Sequence, residues 1–308
     1  MAEVELFDFH THTFPTPERG TGWLRSIGHK NPERTGTIDE LRGMMRSANI
    51  SRAVMLCYTP TRYMYEARLR QQPLPVDPEE RERVSREIKS TMVERAIVNN
   101  EWQTQQAREH PELISFCGID PVYMDANTMI VEIDDKLEKG AMGVKIVPIA
   151  LEIYGNDPRL WPVYEHISRL GIPMLSQAGG RRSPEGKDAW GSPKYFAEAL
   201  EAFSNLTLIV AHMANGCEDQ VIDLCRRFPN FYADLSMRLH NLNQPGEMTT
   251  DEMVQLIREC GAEHIIHGSN FPICDPRQFA DAVRSLGLKP EEFELIASGN
   301  AKRVLNLS

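Results

Sequence analysis

The segment Asp8-Phe9-His10-Thr11-His12 carries two imidazoles two residues apart. On a strand, residues i and i+2 project from the same face. His10 and His12 therefore present a nitrogen pair that can chelate a divalent ion such as Zn²⁺ at about 2.0–2.1 Å per nitrogen. Such a pair also occurs as two ordinary core histidines, so its place in the fold decides its weight. More polar residues stand at the ends of short apolar runs: Lys145 in G-V-K-I, Gln177 in S-Q-A-G-G, His212 after Ala211, Asp234 and Ser236 in D-L-S, and His267 and Asn270 in H-G-S-N-F-P. Singly, each has a structural explanation, as a snorkelling lysine, a capping amide or a satisfied histidine. Together, at successive run ends, they are better explained by one shared site. Arg181 and Arg182 follow the fifth run, and Arg238 and His240 follow the seventh. A guanidinium matches a carboxylate or phosphate bidentately, so the expected substrate is a small anion. Trp23, Tyr58, Tyr63 and Trp190 are candidate walls, although core packing uses the same residue types.

The elements that must position these groups are legible as a repeat. Eight apolar runs lie at 4–10, 53–58, 113–119, 143–148, 172–176, 206–212, 231–235 and 264–268. Several are continuous rather than alternating, the pattern of strands buried on both faces of a parallel sheet. Helical patterns fall between them, at 125–139, 157–170, 192–204, 215–227, 249–259 and 275–286. Thr37-Ile38-Asp39-Glu40 has the form of a capping box. Gly140, Gly171, Gly261 and Gly287 fall just past helix ends, where a left-handed residue is wanted. Eight β-then-α units predict a (β/α)8 barrel spanning residues 1–308 as one domain, with an open doubly wound sheet as the alternative. Long loops follow the first and second strands. Residues 60–111 read as a helical insertion at the barrel mouth, either a solvated helix laced with i,i+4 ion pairs or a lid or dimer contact.

Composition bounds the partners. The chain has 308 residues, 41% hydrophobic, with 34 Lys+Arg against 44 Asp+Glu, a formal charge of −10. That balance gives no electrostatic footprint for nucleic acid or an anionic membrane face. The six cysteines show no C-x-x-C spacing, and they read as small core residues. No basic-then-apolar leader opens the chain, and no apolar run of about 18 residues occurs. A reduced, cytoplasmic setting is the expectation.

The residues also resemble a family. D-F-H-T-H at 8–12, Gly143-Val144-Lys145, the stretch Leu160…Tyr164-Glu165…Gly171-Ile172-Pro173 and Ala211-His212 look like the amidohydrolase superfamily. Gly268-Ser269-Asn270-Phe271-Pro272 resembles the last-strand G-S-D-[FW]-P of its amidohydrolase-related branch of decarboxylases, lactonases and hydratases. The tail Gly299-Asn300-Ala301-Lys302-Arg303-Val304-Leu305 resembles that branch's C-terminal helix. The resemblance runs from about residue 4 to 307. It implies a barrel, often dimeric, with one divalent metal, usually Zn²⁺. The first-strand histidines, a fifth-strand His and an eighth-strand Asp would hold that metal, with the sixth-strand His acting beside it. Here His10, His12 and His212 match, whereas Gln177 stands for the fifth-strand His and Asn270 for the eighth-strand Asp. An amide is neither an anionic ligand nor a base, so His212 becomes the third ligand, or the site is weak or works without metal. Asp234 or Asp275 could substitute as a carboxylate, although a structural role is the commoner explanation for either. Three functions follow: hydrolysis of a C–O or C–N bond in a small carboxylated compound, non-oxidative decarboxylation of an aromatic or dienyl acid, or binding without catalysis. For hydrolysis, His212 is the expected acid/base, Lys145 polarises the carbonyl, and Gln177 and Asn270 donate hydrogen bonds to developing negative charge.

Overall fold

Each of the eight apolar runs forms a strand in the computed structural model, which describes residues 4–180, 183 and 186–307. The strands are β1 Leu6–Thr11, β2 Ile50–Leu56, β3 Leu113–Gly118, β4 Gly143–Ile146, β5 Met174–Ser176, β6 Leu208–Val210, β7 Phe231–Asp234 and β8 Ile265–Ile266. They pair in sequence order, and every pairing is parallel. The seam between β8 and β1 is closed by backbone bonds: Phe9 N–H to the His267 carbonyl (2.9 Å), Asn270 N–H to the His10 carbonyl (2.8 Å) and His12 N–H to the Phe271 carbonyl (2.7 Å). Closure rules out the open doubly wound sheet and gives the (β/α)8 barrel.

Strand periodicity sorts the side chains into two layers. Phe7, Phe9, Val54, Leu56, Ile114, Phe116, Leu175, Ile209, Tyr232 and Ile266 fill the interior, where Phe9 meets Phe116 edge-on at 5.6 Å. Ala301, Val304 and Leu305 of the C-terminal helix join the same cluster. Their alternating neighbours, such as Val144, Ile146, Met174, Val210 and Ala233, pack outward against the helices. Lys145 lies between two outward residues and so points into the barrel, as does Asp234 after the outward Ala233.

Helices follow each strand: Pro17–Ser26 and Ile38–Ala48 after β1, Thr61–Gln71 and Pro78–Glu109 after β2, Ala126–Glu138 after β3 and Trp161–Leu170 after β4. Ala197–Ala202, Glu218–Arg227, Thr250–Cys260 and Pro276–Arg284 complete the ring. The 60–111 insertion resolves into the two helices after β2. The longer one buries Ile88, Met92, Ala96, Asn100, Gln103 and Thr104, spaced at three to four residues. Its outer face carries the expected i,i+4 pairs, Arg83–Glu87 at 2.6 Å and Arg86–Glu82 at 2.9 Å. One local expectation changes. Thr37 caps its helix without a side-chain bond, while Glu40 reaches past it to the N–H groups of Thr35 (2.7 Å) and Gly36 (2.8 Å). Glu40 therefore secures the preceding loop, and the reciprocal capping box is at Thr249 and Glu252. All six cysteines are buried free thiols. Among the described residues, no helix is long and apolar enough to cross a membrane.

Candidate active site

Asp234, at the C-terminal end of β7, organises the barrel mouth. Its Oδ2 accepts from His10 Nδ1 at 2.7 Å. Its Oδ1 accepts the backbone N–H of His212 (2.9 Å), the backbone N–H of Ser236 (3.0 Å) and the Ser236 hydroxyl. With that hydroxyl proton given to Asp234, Ser236 Oγ is left to accept from His212 Nδ1 at 2.7 Å. The same oxygen stands 3.1 Å from His10 Nδ1. His12 donates its own Nδ1–H to the Leu56 carbonyl at 2.9 Å. All three rings thus spend Nδ1 on the protein and keep a lone pair on Nε2. The His10 and His212 rings stack 5.0 Å apart at 29°, and His12 meets His10 edge-on at 5.2 Å.

The local backbone makes this arrangement possible. His212, Met213 and Ala214 have φ of 60°, 44° and 45°. The left-handed region is costly for residues with a Cβ, and here it aims the His212 N–H at Asp234. Gly268 is required opposite: a Cβ there would lie 2.9 Å from the His10 Cβ. Asp8 locks the seam by accepting the Ser269 N–H (2.9 Å), the Ser269 hydroxyl (2.6 Å) and the His10 N–H (3.2 Å). Burial lifts the Asp8 carboxyl to about 6, against the pull of those bonds.

Burial also sets the charge of the cluster. Desolvation lowers His10 and His12 well below the ordinary histidine value, with nearby Lys145 adding to both, and lowers His212 to about 3. The rings are neutral at pH 7, as electron-pair donors must be. Lys145 is depressed to about 7 by burial, although Asp234 pulls it upward. Gln177 Oε1 and Asn270 Oδ1 are buried without a hydrogen-bond partner among the described residues. His267 does not join the cluster. Ile266 faces the interior, so His267 turns outward, buried and lowered to about 4, with the Arg284 charge contributing.

Two clefts open onto the histidines. One, of about 750 Å³, reaches His212 and Gln177 and is walled by Gly179, Gly180, Arg238 and His240. Arg238, expected to hold substrate, instead pairs with Glu218 at 2.8 Å with its side chain 7% exposed. His240 is exposed on that wall and stacks near Phe279 at 6.2 Å. Arg181 and Arg182 lie outside the described residues. The other cleft, of about 720 Å³, reaches His12 and includes Trp23, Tyr58 and Tyr63. Trp23 packs 5.3 Å from the His12 ring, whereas Trp190 packs on Tyr154 at 4.4 Å, away from this cleft. Of the two substitute carboxylates considered, Asp275 caps the Pro276–Arg284 helix and pairs with Arg277 at 2.5 Å. Asp234 is the one at the centre.

The sequence model of the family described as "Amidohydrolase" matches residues 7–307. The chain belongs to the amidohydrolase family. No curated protein matches this amidohydrolase. Among solved structures, it is similar to a TIM-barrel protein from Bordetella bronchiseptica (TM-score 0.72, 18% identity, 98% of this chain and 99% of that one). It is also similar to a dihydroxybenzoic acid decarboxylase from Polaromonas sp. JS666 with bound manganese and the inhibitor 2-nitroresorcinol (TM-score 0.70, 14% identity, 99% and 97%). A third is a protein from Pseudomonas putida assigned as a 2-pyrone-4,6-dicarboxylic acid hydrolase (TM-score 0.59, 14% identity, 99% and 98%). At these identities the likeness shows the fold, shared by decarboxylases and a pyrone hydrolase.

The donor chemistry of this amidohydrolase fits a divalent cation. His10, His212 and Asp234 each bring a ligand atom within 4.8 Å of the others. Within that group the 2.7 Å contact of His10 Nδ1 with Asp234 is a hydrogen bond, so the carboxylate stands behind the imidazoles and orients them, as outer carboxylates do in metal sites. His10 would hold the ion through Nε2, which leaves the Nε2 lone pair of His212 free to accept a proton. His12, expected beside them, lies outside this tight group. Asp234 and Ser236 were visible in the sequence only as D-L-S at a run end. Their i,i+2 spacing is the signal that both face the site.

Proposed function

We propose that this amidohydrolase hydrolyses a C–O or C–N bond in a small carboxylated compound. The observation that carries the reading is the Asp234 network, which fixes the tautomers of His10 and His212 and leaves an unprotonated Nε2 on each. Water attacks the substrate carbonyl, His212 Nε2 takes the water proton, and the C–O or C–N bond breaks with that proton delivered to the leaving group. A buried imidazole resists protonation in the resting site, and Asp234, acting through Ser236, stabilises the imidazolium as it forms. Lys145, as its ammonium form, neutralises charge growing on the carbonyl oxygen. A divalent cation, when bound, would supply Lewis-acid polarisation at the same place. Gln177 and Asn270 would complete the pocket with their amide groups.

The aromatic residues of the cleft beside His12 favour a second reading, decarboxylation of an aromatic acid. One panel separates the readings: lactones, esters and amides of small carboxylic acids, together with aromatic acids, incubated in ¹⁸O-labelled water. Hydrolysis puts one ¹⁸O atom into the product with no carbon dioxide release. Carbon dioxide without label incorporation overturns it in favour of decarboxylation, and saturable binding with no product overturns both.

A further inference from the structure

The two clefts beside the histidines differ in what their walls can recognise. In the cleft beside His212, the described arginine is already neutralised by Glu218 at 2.8 Å, and much of the wall is glycine backbone. In the cleft beside His12, Arg19 from the Pro17–Ser26 helix and Arg95 from the Pro78–Glu109 helix line one space together with Trp23, Tyr58, Tyr63 and Trp102. Neither guanidinium has an ion pair or side-chain hydrogen bond among the described residues, and both are exposed to the cleft. Flat aromatic faces suit a planar ring, and two unpaired guanidiniums suit a carboxylate placed away from the reacting bond. Trp23 ties this cleft to the histidine cluster, since its ring stands 5.3 Å from His12, which meets His10 edge-on at 5.2 Å.

We infer that the cleft beside His12 is the substrate cleft, and that Arg19 and Arg95 select substrates by binding a carboxylate carried on a planar ring. The inference rests on the reading of the substrate as a small carboxylated compound. The cleft beside His212, opening between the loops after β5, β6 and β7, is left for water entry and leaving-group exit. Glu94 on the same wall repels a second negative group, which limits the anion to the reach of the two arginines.

Binding of isophthalate tests this without any turnover, followed by calorimetry and by quenching of tryptophan emission. The wild type binds saturably and is quenched. Arg19→Gln and Arg95→Gln each weaken binding about tenfold or more, the loss of one charge-assisted pair. Trp23→Phe reduces the quenching, with Trp102 in the same cleft carrying the remainder, and His240→Gln in the other cleft leaves affinity unchanged. Succinate, which lacks the ring, binds more weakly than isophthalate. No binding by the wild type, unchanged affinity in both arginine variants, or a loss confined to His240→Gln overturns the inference. Because the readout is binding, isophthalate recognition through Arg19 and Arg95 stands even where the labelled-water panel rejects hydrolysis.

Discussion

Two sets of strand ends at the barrel mouth treat their polar groups in opposite ways. At the ends of β6, β7 and β1, every oxygen of Asp234 is engaged, holding His10, Ser236 and the His212 backbone at 2.7–3.0 Å and the Ser236 hydroxyl besides. At the ends of β5 and β8, Gln177 Oε1 and Asn270 Oδ1 are buried without partners among the described residues. A buried acceptor left unpaired costs about 1–3 kcal/mol. The first set is satisfied by the protein itself. The second keeps acceptors open to a donor, which a ligand can supply.

The largest expected effect comes from breaking the Asp234 network. Asp234→Ala strands the His10 ring, the Ser236 hydroxyl and two backbone N–H groups, and should cost about 3–5 kcal/mol of stability, read from urea midpoints. Asp234→Asn keeps one acceptor and should fall between that variant and the wild type. A midpoint for Asp234→Ala equal to the wild type would show that the network is not structural.

The next prediction concerns Lys145, on β4. Its folded pKa, about 7, lies below the unfolded value near 10.5. The unfolded chain therefore binds more protons at this group between these values, and the contribution of Lys145 to stability should rise with pH across pH 7–10.5, by up to about 1.4 kcal/mol per unit. Lys145→Met should abolish that slope and be more stabilising at pH 7 than at pH 10. A pH slope identical in both proteins would contradict the burial of Lys145.

Replacing the two unpaired amides is a subtler change. Gln177→His with Asn270→Asp supplies an imidazole and a carboxylate where the amides stand, and should raise affinity for Zn²⁺ or Mn²⁺ measured by competition with a chelating dye. Asn270 has φ of 69°, a conformation that Asp also tolerates, so the fold should hold. Unchanged metal affinity would mean that these side chains do not face the ion. The smallest effect belongs to the solvated face of the long helix. Arg86→Ala removes an exposed pair with Glu82 and should change stability by less than about 0.5 kcal/mol.

The barrel was legible because continuous apolar runs and capped helices repeat along the chain. Boundaries were less so, and β8 shrinks to Ile265–Ile266 because loop backbone at His267, Asn270 and Phe271 supplies the closing bonds. At the site, strand-end placement brought His10, His212, Lys145 and Gln177 to one mouth. The engagement of Arg238 by Glu218 was invisible, since it joins a loop to the start of the Glu218–Arg227 helix twenty residues earlier with no local pattern. The centrality of Asp234 was likewise open, because an aspartate at a strand end can equally cap a helix, as Asp275 does. Arg19 and Arg95 carry no local signal in the sequence, and it is the packing of the Pro17–Ser26 and Pro78–Glu109 helices that lines both on one cleft.

The most direct test of the account is the turnover of His212→Ala on a substrate found with the labelled-water panel. His212 as the proton carrier held by Asp234 and Ser236 predicts a loss of about 10²–10⁴-fold with the urea midpoint little changed. Turnover equal to the wild type would contradict it.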